Sequence, residues 1–314
     1  MAKKFNAELR CQHEWGWLLS LWLFLSGTGS CLFLLYEIFR LPLVFAQVSL
    51  GIIVLGGVVL LLELGSPQRA WRGVSRLSTS WLSRGALSVG LFVICNFLFI
   101  APSFPVFSWL PWGPGSAVAT LVEWIAGLCA LIITLYPGIF LSQNRSIPFW
   151  NSPWLVLVMV FYAWLGASGV VLLGSSLVPE GSRFFDTLVW VMVANIVVTG
   201  AYLWVKGGAG GAAGESVRLL NGGPLKLTFW IGAVLVGMLA PLVLVWMKSA
   251  PALAGACLLV GGFLFRYCVL KVGVYVPSTV VQEGVDFSML NRTSNAILEK
   301  EYAAMSANYL GRRG

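Results

Sequence analysis

Histidine is almost missing from this chain, and charge is scarce. A single histidine, His13, stands among 314 residues. One bis-histidine haem needs two axial imidazoles, and a membrane cytochrome with two b-type haems about four, so a bis-histidine b-type haem anchor is not expected. The six cysteines, Cys11, Cys31, Cys95, Cys129, Cys257 and Cys268, stand singly. Their spacing fits neither a zinc site nor an iron–sulfur cluster, and they read as small buried apolar residues. No Walker loop, HExxH or GxSxG pattern is present, so nucleotide hydrolysis, zinc proteolysis and serine hydrolysis have no machinery here.

Charged residues make up only 10% of the chain and hydrophobic ones 58%, whereas a soluble domain carries roughly 25% charged residues. Water is therefore not its main solvent. A bilayer core about 30 Å thick needs ~20 apolar residues per crossing helix. Windows of that kind occur at 17–39, 43–64, 85–104, 117–140, 154–175, 185–205, 227–247 and 252–276. Gly, Pro and Leu mixed with scattered β-branched residues suit helices better than the alternation of a barrel. The expected fold class is an all-α polytopic membrane protein of about eight transmembrane helices. The first window is longer than a signal-peptide core and no small-residue cleavage site follows it, so it is expected to remain in place.

The loops alternate in charge. The face that bears both termini carries Lys3, Lys4, Arg10, Arg69, Arg72, Arg76, Arg84, Arg145, Lys206, Arg218, Lys226, Arg292, Lys300, Arg312 and Arg313. The opposite face carries Arg40, Arg183 and Lys248. By the positive-inside rule both termini are expected in the cytoplasm, with the chain in the cell membrane. The net charge of +8 is thus a topology signal and needs no nucleic acid to explain it. Residues 1–280 form the transmembrane domain, with candidate halves 1–145 and 146–280, and 281–314 a polar tail. Lys206 to Pro224 reads as a Gly-rich linker, and Asn295 to Tyr309 as a surface helix in the tail. The runs Ser26-Gly27-Thr28-Gly29 and Gly166-Ala167-Ser168-Gly169 echo each other, either as a trace of two four-helix bundles or as convergent helix-packing patches.

Ionisable groups at membrane depth are costly and mark function by default. Arg266 stands about ten residues, or roughly 15 Å, from the expected end of the last helix, and Lys271 about half that depth. Tyr136 lies about four residues from the expected end of the fourth. Glu63 closes the second window and His13 precedes the first. These five gather toward the terminus-bearing side. Tyr136, His13, Lys271 and Arg266 can donate hydrogen bonds to a carbonyl, and Glu63 can accept a proton. Glu123 lies toward the opposite face, as a proton-path carboxylate or an interfacial one. Each also has a structural reading: Lys271 snorkelling, Glu63 pairing with Arg69 or Arg72, Tyr136 as an interfacial aromatic, His13 in solvent. This inventory suits a quinone head group, whose carbonyls need donors and whose reduction or oxidation needs proton acceptors, with an apolar cleft for its tail.

Several stretches together resemble the NrfD-like family, the membrane subunits of polysulfide reductase and its relatives. They are Leu62-Glu63-Leu64-Gly65-Ser66-Pro67-Gln68-Arg69-Ala70-Trp71-Arg72 with Ser80-Trp81-Leu82-Ser83-Arg84-Gly85, then Tyr136-Pro137-Gly138 followed by Ile147-Pro148-Phe149-Trp150-Asn151-Ser152-Pro153. Gly222-Gly223-Pro224 follows, and then Arg266-Tyr267 with Lys271-Val272-Gly273-Val274-Tyr275-Val276-Pro277. The resemblance implies an eight-helix core without haem, often two four-helix bundles, that holds a quinone, menaquinone or ubiquinone. It implies an iron–sulfur subunit docked nearby and, through it, a molybdopterin-containing catalytic subunit. Tyr136 falls where such proteins place a quinone-contacting tyrosine and Glu63 on their acidic residue; Arg266 and Lys271 match basic positions of the last helix. Some relatives have a histidine early in the first helix, where this chain has Trp22. In the best-known relatives the catalytic module lies outside the cytoplasm on the terminus-bearing face, opposite to the placement expected from charge. Two other readings compete. A secondary transporter also uses paired halves and intramembrane charges, and a purely structural anchor would dock a soluble enzyme without touching quinone.

Overall fold

In lipid a backbone N–H or C=O has no water to bond, so each apolar run closes its hydrogen bonds within itself. The computed structural model describes residues 10–63, 81–113, 115–179 and 181–276. Helices α1 (Trp17–Phe39), α2 (Val44–Glu63), α3 (Trp81–Ile100), α4 (Ala117–Ser142), α5 (Pro153–Leu173) and α6 (Phe184–Gly208) follow one another. After them come α7 (Gly211–Gly222), α8 (Thr228–Trp246) and α9 (Pro251–Lys271). All except α7 are long and apolar enough to cross a membrane, giving eight candidate spans among the described residues. This is a multi-pass membrane protein.

The ends are marked by local chemistry. Ser116 accepts from Ala119 N at 3.2 Å and Ser152 from Trp154 N at 3.3 Å, capping α4 and α5. Pro153 and Pro251 occupy first turns, where a missing N–H costs nothing. Helix α1 stops at Arg40, in the left-handed region with φ 51°, whose neighbour Leu41 turns its N–H back to Tyr36 O.

Helices α1 and α5 form the centre: their spans are 78% and 67% buried, against 28% for α6. Helix α1 packs on α2, α4, α5 and α9, and α5 on α1, α4, α6 and α9. The two small-residue runs meet here. A Cβ at Gly166 would strike Thr28 Oγ1, and one at Gly27 would lie 3.3 Å from Ala163 Cβ. Small residues let backbones approach where no solvent drives helices together. Polar links cross the same interior: Ser30 and Thr134 hydroxyls at 2.9 Å, Ser49 Oγ donating to Gly29 O at 2.8 Å, Asn96 Nδ2 donating to Ala46 O at 3.1 Å.

Three features depart from the expected outline. The last helix ends at Lys271, not at 276, because Val274–Tyr275 form a strand, β2, that pairs antiparallel with β1, Arg10–Cys11. Lys271 is therefore the final helical residue, and Arg266 stands five residues from that end, about 7.5 Å at 1.5 Å per residue. The depth inferred from the longer helix is corrected accordingly. The expected linker from Lys206 to Pro224 contains α7, whose Ala212, Ala213, Ser216, Val217, Leu219 and Leu220 are buried. Its glycines hid a helix whose packing against α6 and β2 outweighs weak intrinsic propensity. Residues Thr228–Leu239 of α8 adopt wide π turns. They precede Pro241, whose ring would crowd the Gly237 carbonyl in a regular α-helix. The tail 281–314, with its expected surface helix, and residues 64–80 lie outside the described residues.

The terminus-bearing face is tied by hydrogen bonds around the α4–α5 loop. Trp150 Nε1 donates to Val269 O at 2.8 Å, Tyr202 OH to Phe149 O at 2.5 Å, and Lys206 Nζ to Pro148 O at 2.6 Å. Val276 N reaches Ser146 O at 2.8 Å and Gln12 N reaches Gly273 O at 2.7 Å. Trp150→Phe keeps a ring but removes the donor and leaves a buried carbonyl unbonded. It should lower stability by about 1–2 kcal/mol. Thermal unfolding in detergent measures this; an unchanged midpoint would show that the indole N–H does not hold the loop to α9.

Candidate functional site

Tyr136 lies in α4 one turn before Phe140, immediately ahead of Pro137 and Gly138. Gly138 is where α4 touches α5: a Cβ there would stand 2.5 Å from Val156 Cα. On the other side α3 brings Gly85 against the tyrosine ring, where a Cβ would stand 2.8 Å from Tyr136 Cζ. Only glycine at 85 leaves the ring its place. The residue is 8% exposed, and no hydrogen bond joins its hydroxyl to another described residue.

An aromatic column closes this site toward the terminus-bearing face. Tyr136 stacks on Phe140 with centroids 5.7 Å apart, Phe140 on Trp15 at 5.7 Å, and Trp15 on Trp150 at 5.1 Å with rings 7° from parallel. Three separate chain segments supply these rings. Stacked rings add about 0.5–1.5 kcal/mol per pair beyond the area they bury, so the column rigidifies one side of Tyr136. Trp15 was not among the candidate residues. Its only signal in the sequence is its place between His13 and the first apolar window.

The other candidates scatter. His13 is exposed, two residues before Trp15. The β1–β2 pairing brings its segment beside the end of α9, where Lys271 is half-buried. Tyr275, in β2, is held above its ordinary phenol value by burial and by the nearby Glu14 carboxylate, so it stays a protonated donor on this face. Glu63 is the last residue of α2, half-buried. Trp22, where some resembling proteins carry histidine, is buried against Gly56 of α2, at 3.1 Å from a Cβ there.

Arg266 sits elsewhere, among α1, α5 and α9, and is 1% exposed. Its guanidinium lies 5.6 Å from the Phe24 ring centroid, and its Nη1 donates to Gly262 O at 3.2 Å. A Cβ at Gly27 would stand 3.1 Å from its Nη2, so glycine makes room for it. Its Nε has no partner, and among the described residues it forms no ion pair. Its neighbours include Phe24, Gly27 and Gly262, whereas those of Tyr136 include Gly85 and Phe140, so the two residues belong to different helix packings. A buried charge without a counter-charge costs several kcal/mol, so Arg266 supplies a fixed positive potential inside the bundle.

Glu123 has company that the sequence reading passed over. The carboxylate of Glu37, from α1, presses on α4 at Gly127, 2.6 Å from where a Cβ would stand. Glu37, Glu123 and Arg40 lie close enough to act on one another electrostatically. They sit toward the face opposite the termini, so the structure separates them from Tyr136.

What the Tyr136 side can do follows from these parts. It offers one free phenol donor, a stacked aromatic wall and apolar helix faces, with titratable residues toward the rim. That combination is chemically suited to a flat, carbonyl-bearing ring with an apolar tail.

Comparison with known proteins identifies the family. Residues 6–278 match a family model described as polysulphide reductase, NrfD. A curated relative, Protein NrfD of Escherichia coli (strain K12), is 26% identical over 300 residues, covering 82% of this chain and 94% of that protein.

Proposed function

The chain belongs to the polysulphide reductase NrfD family, and from that premise we propose that it is the haem-free, quinone-reactive membrane subunit of a multi-subunit respiratory oxidoreductase. The observation that supports this reading is the largely buried ring of Tyr136 beside its aromatic wall, with no hydrogen bond from its hydroxyl to a described residue. A quinone carbonyl accepts from Tyr136 OH while the ring of the quinone lies among apolar side chains. Oxidation of a quinol at this place releases two electrons and two protons, and reduction takes up the same. The protons pass to titratable groups of the terminus-bearing rim, with Glu63, His13 and Lys271 in the proposed set. Arg266 contributes its fixed charge from the neighbouring packing, and Glu123 with Glu37 forms a carboxylate pair at the opposite face.

The electrons pass to an iron–sulfur subunit docked on the terminus-bearing face, over the α4–α5 loop, and from it to a catalytic subunit. That face is basic, which favours an acidic partner. The charge bias favours a cytoplasmic position for that face. A photoreactive quinone analogue irradiated in membranes containing the assembled complex should label α3 and α4 near Gly85 and Phe140. Labelling confined to the Trp109 to Trp112 loop of the opposite face would overturn the assignment.

A further inference from the structure

On the side of the bilayer away from the termini a groove of about 510 Å³ runs along α6 beside α5. Arg183 and Asp186 form its rim, Thr187 and Trp190 one wall, Phe161 and Ala194 its base. Arg183 precedes α6 and Ala194 lies ten residues beyond Phe184. At 1.5 Å per residue the groove descends about 15 Å, half of a hydrocarbon core about 30 Å thick. Its length is that of one leaflet, charged at the water side and apolar below.

The two rim charges are one helical turn apart, where Arg and Asp ordinarily pair. Here neither forms an ion pair among the described residues. Trp190 is 74% exposed and stands seven residues beyond Arg183, about 10 Å down by the same rise, at the depth of the acyl chains. A rim with one charge of each sign complements a zwitterion. An anionic head group would satisfy Arg183 but meet the like charge of Asp186. A quaternary ammonium has no N–H to give to a carboxylate, whereas a primary ammonium has three.

We propose that this groove is a binding site for a zwitterionic phospholipid with a primary ammonium, phosphatidylethanolamine, its phosphate on Arg183, its ammonium on Asp186 and one acyl chain along Phe161 and Ala194. Guanidinium and phosphate make charge-assisted hydrogen bonds, and Trp190 packs beside the acyl chain below the head group. The site is independent of the quinone reading, since it lies in the other leaflet and shares no residue with Tyr136.

The test is lipid competition. The assembled protein is placed in nanodiscs of equimolar phosphatidylethanolamine, phosphatidylcholine and phosphatidylglycerol, released into mild detergent, and its retained lipids are counted by native mass spectrometry. Phosphatidylethanolamine should be enriched at least fivefold over each of the others. Asp186→Asn should abolish its advantage over phosphatidylcholine and raise phosphatidylglycerol, because Arg183 then stands alone. Arg183→Gln should lower retention of all three. Equal retention of phosphatidylethanolamine and phosphatidylcholine by the parental protein would overturn the proposal. So would a preference for phosphatidylglycerol, or a retained quinone whose amount tracks the two substitutions. If a variant fails to accumulate, the parental competition alone decides between these outcomes.

Discussion

Tyr136→Phe should assemble normally and turn over quinol ten- to a hundredfold more slowly than the parental complex. The ring is kept, so its stacking on Phe140 and its contact with Gly85 remain. Only the hydroxyl is lost. That hydroxyl bonds no described residue, so its removal strands no described group and the bundle should lose little stability. What is lost is the hydrogen bond to the quinone carbonyl. Such a bond in a buried site is worth about 1–3 kcal/mol, and each 1.36 kcal/mol is about tenfold in rate. The readout is quinol oxidation or quinone reduction by the assembled complex, with the amount of assembled subunit measured on the same membranes. Parental turnover at parental abundance would remove Tyr136 from the site. Loss of abundance together with turnover would instead mean that the hydroxyl serves packing.

Gly261→Ala should have the larger effect on the fold. In α9 Gly261 meets Gly237 of α8 backbone to backbone, and a Cβ at Gly261 would overlap Gly237 Cα. No rotamer change relieves a clash between a Cβ and a main chain, so the helices must separate. Separation loosens the packing along the whole α8–α9 contact, at a cost of about 3 kcal/mol. Gly200→Ala in α6 is the matched control, with nothing within 4 Å of its would-be Cβ. There the gain in helix propensity, up to about 1 kcal/mol, should leave stability equal or slightly higher. Unfolding midpoints of the two variants in detergent compare them directly. Equal midpoints would show that α8 and α9 can part without loss at Gly237 and Gly261.

Much of the outline was legible because apolarity is local. A run without charge either spans the bilayer or does not, and the expected windows fall within a few residues of the helices in every case but the last. There the strand pairing of Val274–Tyr275 with Arg10–Cys11 joins residues from opposite ends of the chain. No window of neighbouring residues contains that information. Helix α7 was missed for the related reason that Gly and Ala carry little signal, and what stabilises them as a helix is the surface they are packed on.

The candidate site was legible in part. Tyr136 stood out because it is polar within an apolar run, and Arg266 because it is charged there. That the first stacks toward the terminus-bearing face while the second is enclosed by Phe24, Gly27 and Gly262 was not readable. Nor was the meeting of Glu37 with Glu123, which stand on different helices far apart in the chain. The number of spans, the charge asymmetry of the loops and the lack of haem ligands were determined by the sequence alone, because each depends on residue type and on nothing else. Which face of each helix turns inward was decided only by the tertiary structure. In water the inward face is the apolar one and a period of 3.6 residues betrays it. In lipid both faces are apolar, and contact is set by where small residues let two backbones approach and by which hydroxyls find a partner across the gap.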